Sequence, residues 1–418
     1  MLKSILSTAT FRQSQITVIG TLINGLLGLT FLIFLANFLG PADYGLFTIA
    51  TITMVLVADI ADIGTNTGLI RFVSKNLSGN LDRAYRFLKL SLEIKLIAWV
   101  ISSLVIFLLA PFLAVEVFHK ERLIFPLQLA GFGVGSALFF TFATSSLQAY
   151  QKYFLWSVVN ILTNALRLLL ILALGYFLIL DLQSSLITYI ALPFFGFFIT
   201  LLILPTRKII QSKNEFSLSK ELFQYNIPVA IFTIIAAFSA KLDTYLTAAL
   251  LSSKEVGIYG LANQLVVFLP QLVSALGLVS SPKFASFQNN EQMLVYFKKF
   301  QLLVSGLVVL GILTIPISTF IIPLILVQYQ ETIIPFTILF LAQLIFLFSI
   351  PVHHSVIFYF GRPDVFIWIS TLHLLIIGGL GYLLISSYGI LGASVTVLVG
   401  TTFNFLYPLV WLLIKLKK

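Results

Sequence analysis

The chain has 418 residues, of which 59% are hydrophobic and only 10% charged, with a mean hydropathy of +1.05. Soluble domains carry about 25% charged residues, so this composition excludes a water-soluble globular protein and points to an integral membrane protein. The lack of cysteine excludes disulfides and thiolate catalysis, and four histidines (His119, His353, His354 and His373) argue against metal sites.

The first 15 residues are polar and weakly basic, and the apolar run that follows, Ile16 to Gly40, is about 25 residues long. A secretory signal core has about 7–15 residues, so this run reads as a retained first span. A bilayer core needs about 20 apolar residues of helix. Twelve such windows follow one another, at approximately 16–40, 44–70, 90–115, 123–149, 153–180, 185–205, 227–251, 256–280, 300–325, 333–355, 365–386 and 390–414. They are too long and too uniformly apolar for the alternating strands of a membrane barrel. Helices satisfy their own backbone groups in lipid, so the expectation is an all-α membrane protein.

Lys and Arg orient it. With the N-terminus cytoplasmic, 19 of the 25 basic residues fall on inner segments, among them Lys3, Arg12, Lys417 and Lys418. Three, Lys120, Arg122 and Lys254, fall outside, and three, Lys95, Arg167 and Lys241, fall within spans. Cytoplasmic loops are enriched in Lys and Arg, so both termini are expected in the cytoplasm. The net charge of +10 is then a collar facing anionic lipid, not a nucleic-acid surface.

The turn "LGPADYGLFTIA" after the first span returns 212 positions later as "LSSKEVGIYGLA" after the seventh. Asp43 meets Glu255, Gly45 meets Gly257, Phe47 meets Tyr259 and Ala50 meets Ala262. The same turn at the same place implies two parallel six-helix halves, expected at 1–205 and 227–418 with a basic cytoplasmic linker at 206–226. Transporters are commonly built from such repeats, with the substrate path between them. Pro41 sets φ for the turn after Gly40. Asp43 and Glu255 sit where an acid caps a helix, which accounts for them without a substrate role.

These residues also carry a resemblance. Gly40, Pro41, Tyr44 and Gly45 in the first turn, Gly257 and Tyr259 in "DTYLTAALLSSKEVGIYGLANQL", and "YGILGASVT" before the last span resemble the polysaccharide-biosynthesis flippases. These are the O-antigen and lipid-linked oligosaccharide translocases (Wzx-type) of the multidrug/oligosaccharidyl-lipid/polysaccharide exporter superfamily. The resemblance covers the whole chain in length and span count. It implies a MATE/MOP-like fold and no enzymatic activity. It also implies a multi-pass protein of the bacterial inner membrane that moves a polyprenyl-pyrophosphate-linked sugar unit from the inner to the outer leaflet by alternating access. O-antigen, capsule or exopolysaccharide synthesis would be its setting. The implied partners are that lipid-linked oligosaccharide and membrane lipids, with a polysaccharide polymerase and a chain-length regulator as candidate associates. No cofactor is implied beyond proton, sodium or membrane-potential coupling. One departure concerns a basic residue that the family often carries before the turn. Asn37 stands in its place, so no role of that cation carries over.

Polar residues within spans mark candidate sites. Ser157, Asn160, Asn164 and Arg167 share one face of span five by their spacing. An arginine at mid-span costs at least about 2.5–3.5 kcal/mol on insertion scales, so Arg167 needs a wet cavity or a partner. It would meet pyrophosphate or pair with an acid. Asp59, Asp62 and Asn66 share a face of span two, as a coupling site or as partners of Arg167 or Lys241. Lys241 in span seven is a lumen cation or an acid's partner, and Asp243, two residues on, points elsewhere. Asn24 in span one and Asn263 in span eight complete the lumen candidates. The histidines read as structural.

Two rivals remain. A drug or cation exporter of the same superfamily would need lumen acids without lumen cations. A membrane-embedded polysaccharide polymerase or ligase would present catalytic groups on a large outer loop, and no such loop, metal motif or nucleotide-binding motif is present.

Overall fold

The computed structural model describes residues 9–77, 79–213, 215–362 and 364–416, without the side chains of 9–14 and a few others; Lys3, Lys417, Lys418 and the side chain of Arg12 thus lie outside the description. Every regular element in it is helical. In chain order these are α1 (Ala9–Asp62), α2 (Thr65–Asn76), α3 (Leu81–Phe112), α4 (Ile124–Ala149), α5 (Tyr153–Tyr176), α6 (Leu182–Ile203), α7 (Thr206–Gln211) and α8 (Phe216–Ser239). They are followed by α9 (Leu242–Leu250), α10 (Ser253–Val266), α11 (Phe268–Ala285), α12 (Asn290–Ile325), α13 (Ile333–His354), α14 (Asp364–Leu375) and α15 (Gly381–Leu416). Among the described residues, nine helical stretches are long and apolar enough to cross a bilayer. Two of them, Gln15–Asp62 with 48 residues and Asp364–Leu416 with 53, are each twice the length one crossing needs.

Glycine divides these double-length stretches. α1 kinks at Gly40 (φ 71°, ψ 170°), with Pro41 opening the second limb. α15 kinks at Gly389 (φ 58°, ψ −137°), inside "YGILGAS". Both sit in the left-handed region that a Cβ disfavours. The turn before α6 is closed differently. Asp181 accepts from Ser184 N at 2.7 Å while Ser184 Oγ accepts from Asp181 N at 2.9 Å, a reciprocal cap. The Ser184 backbone and hydroxyl hold the Asp181 carboxyl below the usual carboxylate range.

Two expected spans are interrupted. The window 44–70 breaks after Asp62, where Ile63 (φ 49°) and Gly64 (φ 70°) both turn left-handed. The Asp62 carboxylate then accepts from Thr65 Oγ1 at 2.8 Å and Asn66 N at 3.2 Å, closing the start of α2. The window 227–251 breaks at Ala240–Lys241, between α8 and α9. Apolar runs lead into both breaks, and no proline marks either one.

The chain forms two compact units, Met1–Leu39 with Leu46–Phe238, and Gly40–Gly45 with Ser239–Lys418. The segment 206–226, expected as a linker between halves, lies inside unit one. Three cations at consecutive turns of α3 explain why. Arg83 binds Glu221 at 2.6 Å, Arg86 binds Glu215 at 2.7 Å, and Lys89 donates to Ser212 O at 2.8 Å. Beyond them α2 and α8 approach so closely that a Cβ on Gly68 would lie 2.3 Å from Asn226 Oδ1. These basic residues, read as a lipid-facing collar, are therefore held by their own chain. A buried cluster of Phe72, Phe87, Phe139, Phe142 and Phe197 fills the centre of unit one. Leu96, Val100, Leu104 and Leu108 on α3 stay exposed, as a lipid-facing surface does.

Candidate functional site

Unit one contains a cavity of about 230 Å³. The second limb of α1 contributes Asp59 and Asp62, α2 contributes Asn66, α4 contributes Ser136 and Thr141, α5 contributes Arg167, and α6 contributes Tyr189. The span-two face thus shares this cavity with one member of the span-five face, Arg167.

Arg167 is fixed from three sides without a carboxylate. Its Nη1 donates to Asn164 Oδ1 at 2.9 Å and its Nη2 to Tyr189 O at 3.1 Å. Its guanidinium lies 4.2 Å from the centre of the Tyr189 ring, a cation–π contact. Asn164 is held in turn, since its Nδ2 donates to Asn24 Oδ1 at 2.6 Å. The Tyr189 ring is braced edge-on by Phe47 at 5.5 Å. The buried Nε donates to no acceptor. Among the described residues the arginine is therefore oriented by neutral groups.

Asp62 pairs with neither Arg167 nor Lys241. Its partner is Lys95 on α3, whose side chain is completely buried (0% exposed). Asn66 is bridged to α4 by Ser145 Oγ at 3.3 Å. The other expected members of the arginine's face turn away from the cavity. Asn160 Nδ2 donates to Trp156 O of its own helix at 2.8 Å. Ser157 packs on Gly20, where a Cβ would lie 2.3 Å from Ser157 Oγ.

Unit two holds a second polar cluster at the break between α8 and α9. Asp243 is buried and accepts from the Tyr259 hydroxyl, and its backbone carbonyl accepts from Thr247 Oγ1 at 2.7 Å. Ser239 Oγ and His373 Nδ1 share a hydrogen bond at 3.1 Å. Lys241 occupies the turn itself, before the first residue of α9, and forms no ion pair among the described residues. Asn263 on α10 is half-buried.

The repeated turns are structural. Gly45 and Gly257 pack on each other. A Cβ on Gly45 would lie 1.9 Å from Ser253 O, and one on Gly257 would lie 2.0 Å from Pro41 O. Glu255 closes a capping box with Ser252 at 3.0 Å and 3.3 Å. Tyr44 meets Tyr329 edge-on at 6.1 Å. The aligned aromatics Phe47 and Tyr259 each brace a buried polar group, Phe47 through Tyr189 and Tyr259 directly at Asp243.

Sequence reading missed Lys95 and Tyr189 as site residues. Lys95 had a signal, a cation in an apolar span. Tyr189 had none, being one aromatic among many in its span.

The sequence profile of the polysaccharide biosynthesis protein family matches residues 11–288, two thirds of the chain and most of what has just been described. The chain belongs to the polysaccharide biosynthesis protein family. No curated protein matches this family member by sequence. Among solved structures it is similar in fold to an inward-facing multidrug resistance MATE family transporter of the MOP superfamily (12% identity, TM-score 0.75, covering 92% of this chain and 93% of that one). It is equally similar to the lipid II flippase MurJ in an inward closed conformation (14% identity, TM-score 0.74, covering 95% and 87%). A MOP superfamily transporter from Pyrococcus furiosus is a third (13% identity, TM-score 0.61, covering 96% and 93%). This family member therefore has a MATE/MurJ-like fold, and its neighbours are transporters and a flippase rather than enzymes.

Proposed function

We propose that this protein is a flippase for a polyprenyl-pyrophosphate-linked oligosaccharide, carrying the headgroup from the inner to the outer leaflet of a bacterial cytoplasmic membrane. The observation that carries the reading is Arg167, oriented by Asn164 and Tyr189 on the wall of a cavity that it shares with Asp59, Asp62 and Asn66, and bound to no carboxylate among the described residues. A planar guanidinium suits a pyrophosphate oxygen pair. Each sugar hydroxyl moved into hydrocarbon without a partner costs roughly 4–8 kcal/mol, so a headgroup with on the order of ten hydroxyls needs a polar path. Asp59, Asn66, Ser136 and Thr141 on the same wall supply hydrogen-bonding groups for it, while the prenyl tail stays in lipid. Alternating access between the halves would expose the headgroup to each side in turn. Asp59, Asp62 and Asp243 are the candidates for proton or sodium coupling, and the membrane potential would favour outward movement of an anion. A polymerase and a chain-length regulator, acting on the delivered sugar, are the candidate protein partners.

Reconstitution tests this. Purified protein in vesicles should move a labelled lipid-linked oligosaccharide between leaflets. Arg167→Ala should lower the rate about 10–100-fold, the equivalent of a charge-assisted hydrogen bond worth about 1.5–3 kcal/mol. Arg167→Lys should recover part of it. Equal rates with and without protein would end the proposal.

A cation or drug exporter is the second reading, favoured by the two acids on the cavity wall and by the fold shared with multidrug transporters. Lys95 neutralises Asp62, however, and Arg167 repels a cation. Drug resistance lost in Arg167→Ala cells with surface polysaccharide intact would favour it.

A further inference from the structure

We propose that unit two carries a binding site for an anionic phospholipid at the turn between α11 and α12. The sequence there reads "KFASFQNNEQMLVYFKK", from Lys283 to Lys299. Asn289 caps α12, accepting from Gln292 N at 2.9 Å. The turn folds Phe287 back against Tyr296, ring centres 5.4 Å apart, and the buried Phe284 holds both. This leaves a cavity of about 500 Å³ whose wall includes Lys283, Lys299, Asn289, Gln292, Phe287 and Tyr296. Pockets of about 300–1,000 Å³ hold small ligands, so a phosphoglycerol headgroup fits.

The charge state of this wall differs from that of the three basic residues on α3 in unit one. There Arg83, Arg86 and Lys89 are each held by a carboxylate or a carbonyl of the same unit. Here Lys283 and Lys299 form no ion pair among the described residues. Lys283 only approaches the Phe287 ring, at 5.7 Å. The wall includes one acid, Glu291, in the first turn of α12, where the helix dipole favours it. The lysines therefore outnumber it and lack a partner of their own. Lysine, a compact point charge, suits a single phosphate.

The second observation separates a lipid from a free phosphate. Val295 lines the cavity, and Val295, Leu302 and Val309 recur every seven residues along α12, exposed at 51%, 75% and 54%. That spacing keeps them on one stripe, and 14 residues of helix rise about 21 Å. The stripe thus runs from the charged cavity through more than one leaflet of a hydrocarbon core about 30 Å thick. A charged pocket continued by an apolar track matches an amphiphile. The aromatic pair Phe287 and Tyr296 stands at the junction, where interfacial aromatics sit. Placing this site in the cytoplasmic leaflet rests on the orientation read from Lys and Arg.

The test measures binding to purified protein in detergent, free of any sugar substrate, so it stands apart from the flippase reading. The probes are phosphatidylglycerol, phosphatidylcholine of the same chains, and soluble glycerol phosphate. Phosphatidylglycerol should bind most tightly. A basic residue near an anionic surface contributes about fivefold, so K283Q/K299Q should bind it roughly 25-fold more weakly and K283R/K299R should keep it. The control R207Q/K208Q removes the same charge from α7 and should bind like the parent. Equal binding of the two lipids, or unchanged binding by K283Q/K299Q, overturns the site. Glycerol phosphate binding as tightly as the lipid overturns the lipid and leaves an anion pocket.

Discussion

Lys95 shows how a single residue is priced inside this protein. Its ammonium is wholly buried, and the Asp62 carboxylate answers it. Removing one partner of a buried pair leaves an uncompensated charge and costs about 3–5 kcal/mol, whereas replacing both is often neutral. Lys95→Met should therefore lower the melting temperature in detergent sharply, and Lys95→Met with Asp62→Asn should recover most of the loss. A double variant as unstable as the single one would show that Lys95 matters for packing rather than pairing. Arg167 is solved in the opposite way. It is surrounded by the amide of Asn164, the carbonyl of Tyr189 and an aromatic face, so its charge is oriented but not cancelled. The sequence marked both as cations in apolar spans, and only contacts between helices distant in sequence distinguish them. Asp62 shared a face with Asp59 by spacing, but the partner that claims it lies 33 residues away on α3.

At the scale of elements, the turns decide the structure. The Gly45–Gly257 contact brings backbone against backbone, with no side chain that could swing aside. Gly45→Ala and Gly257→Ala should each destabilise by at least the roughly 1–3 kcal/mol typical of overpacking, read as lower thermal stability or lower yield in the membrane. Gly28→Ala, where a Cβ meets nothing within 4 Å, should be neutral and serves as the control. If Gly45→Ala melts like Gly28→Ala, the close contact is wrong. The repeated turn was legible from its recurrence, as was the capping role of Glu255. The breaks at Ile63–Gly64 and Ala240–Lys241 were not. An isoleucine at positive φ carries no local signal, since the left-handed region disfavours a β-branched residue, and Asp62, which closes the turn on Thr65 and Asn66, is itself held by Lys95 of a distant helix. Lys241 leaves the helix at a point that no glycine or proline marks.

At the scale of the molecule, orientation is the property most open to measurement. The chain has no cysteine, so single cysteines can be introduced without background. Cysteines at Lys213 and Lys299 should react with a membrane-impermeant reagent only after the inner face is opened. Cysteines at Lys120 and Lys254 should react from outside in intact cells. The reverse pattern would invert the topology and move the lipid site to the other leaflet. The all-α membrane class, the succession of long apolar runs and the recurrence of the glycine turn were legible in the sequence alone. Each is a periodic or additive property of the chain, namely the length of an apolar run, the count of charges, or the recurrence of a turn. Tertiary structure alone decided which polar groups share a cavity, that Lys95 pairs with Asp62 while Arg167 meets no carboxylate among the described residues, and that segment 206–226 belongs to unit one. Those facts depend on distances between helices that lie far apart along the chain, and no local pattern encodes such distances.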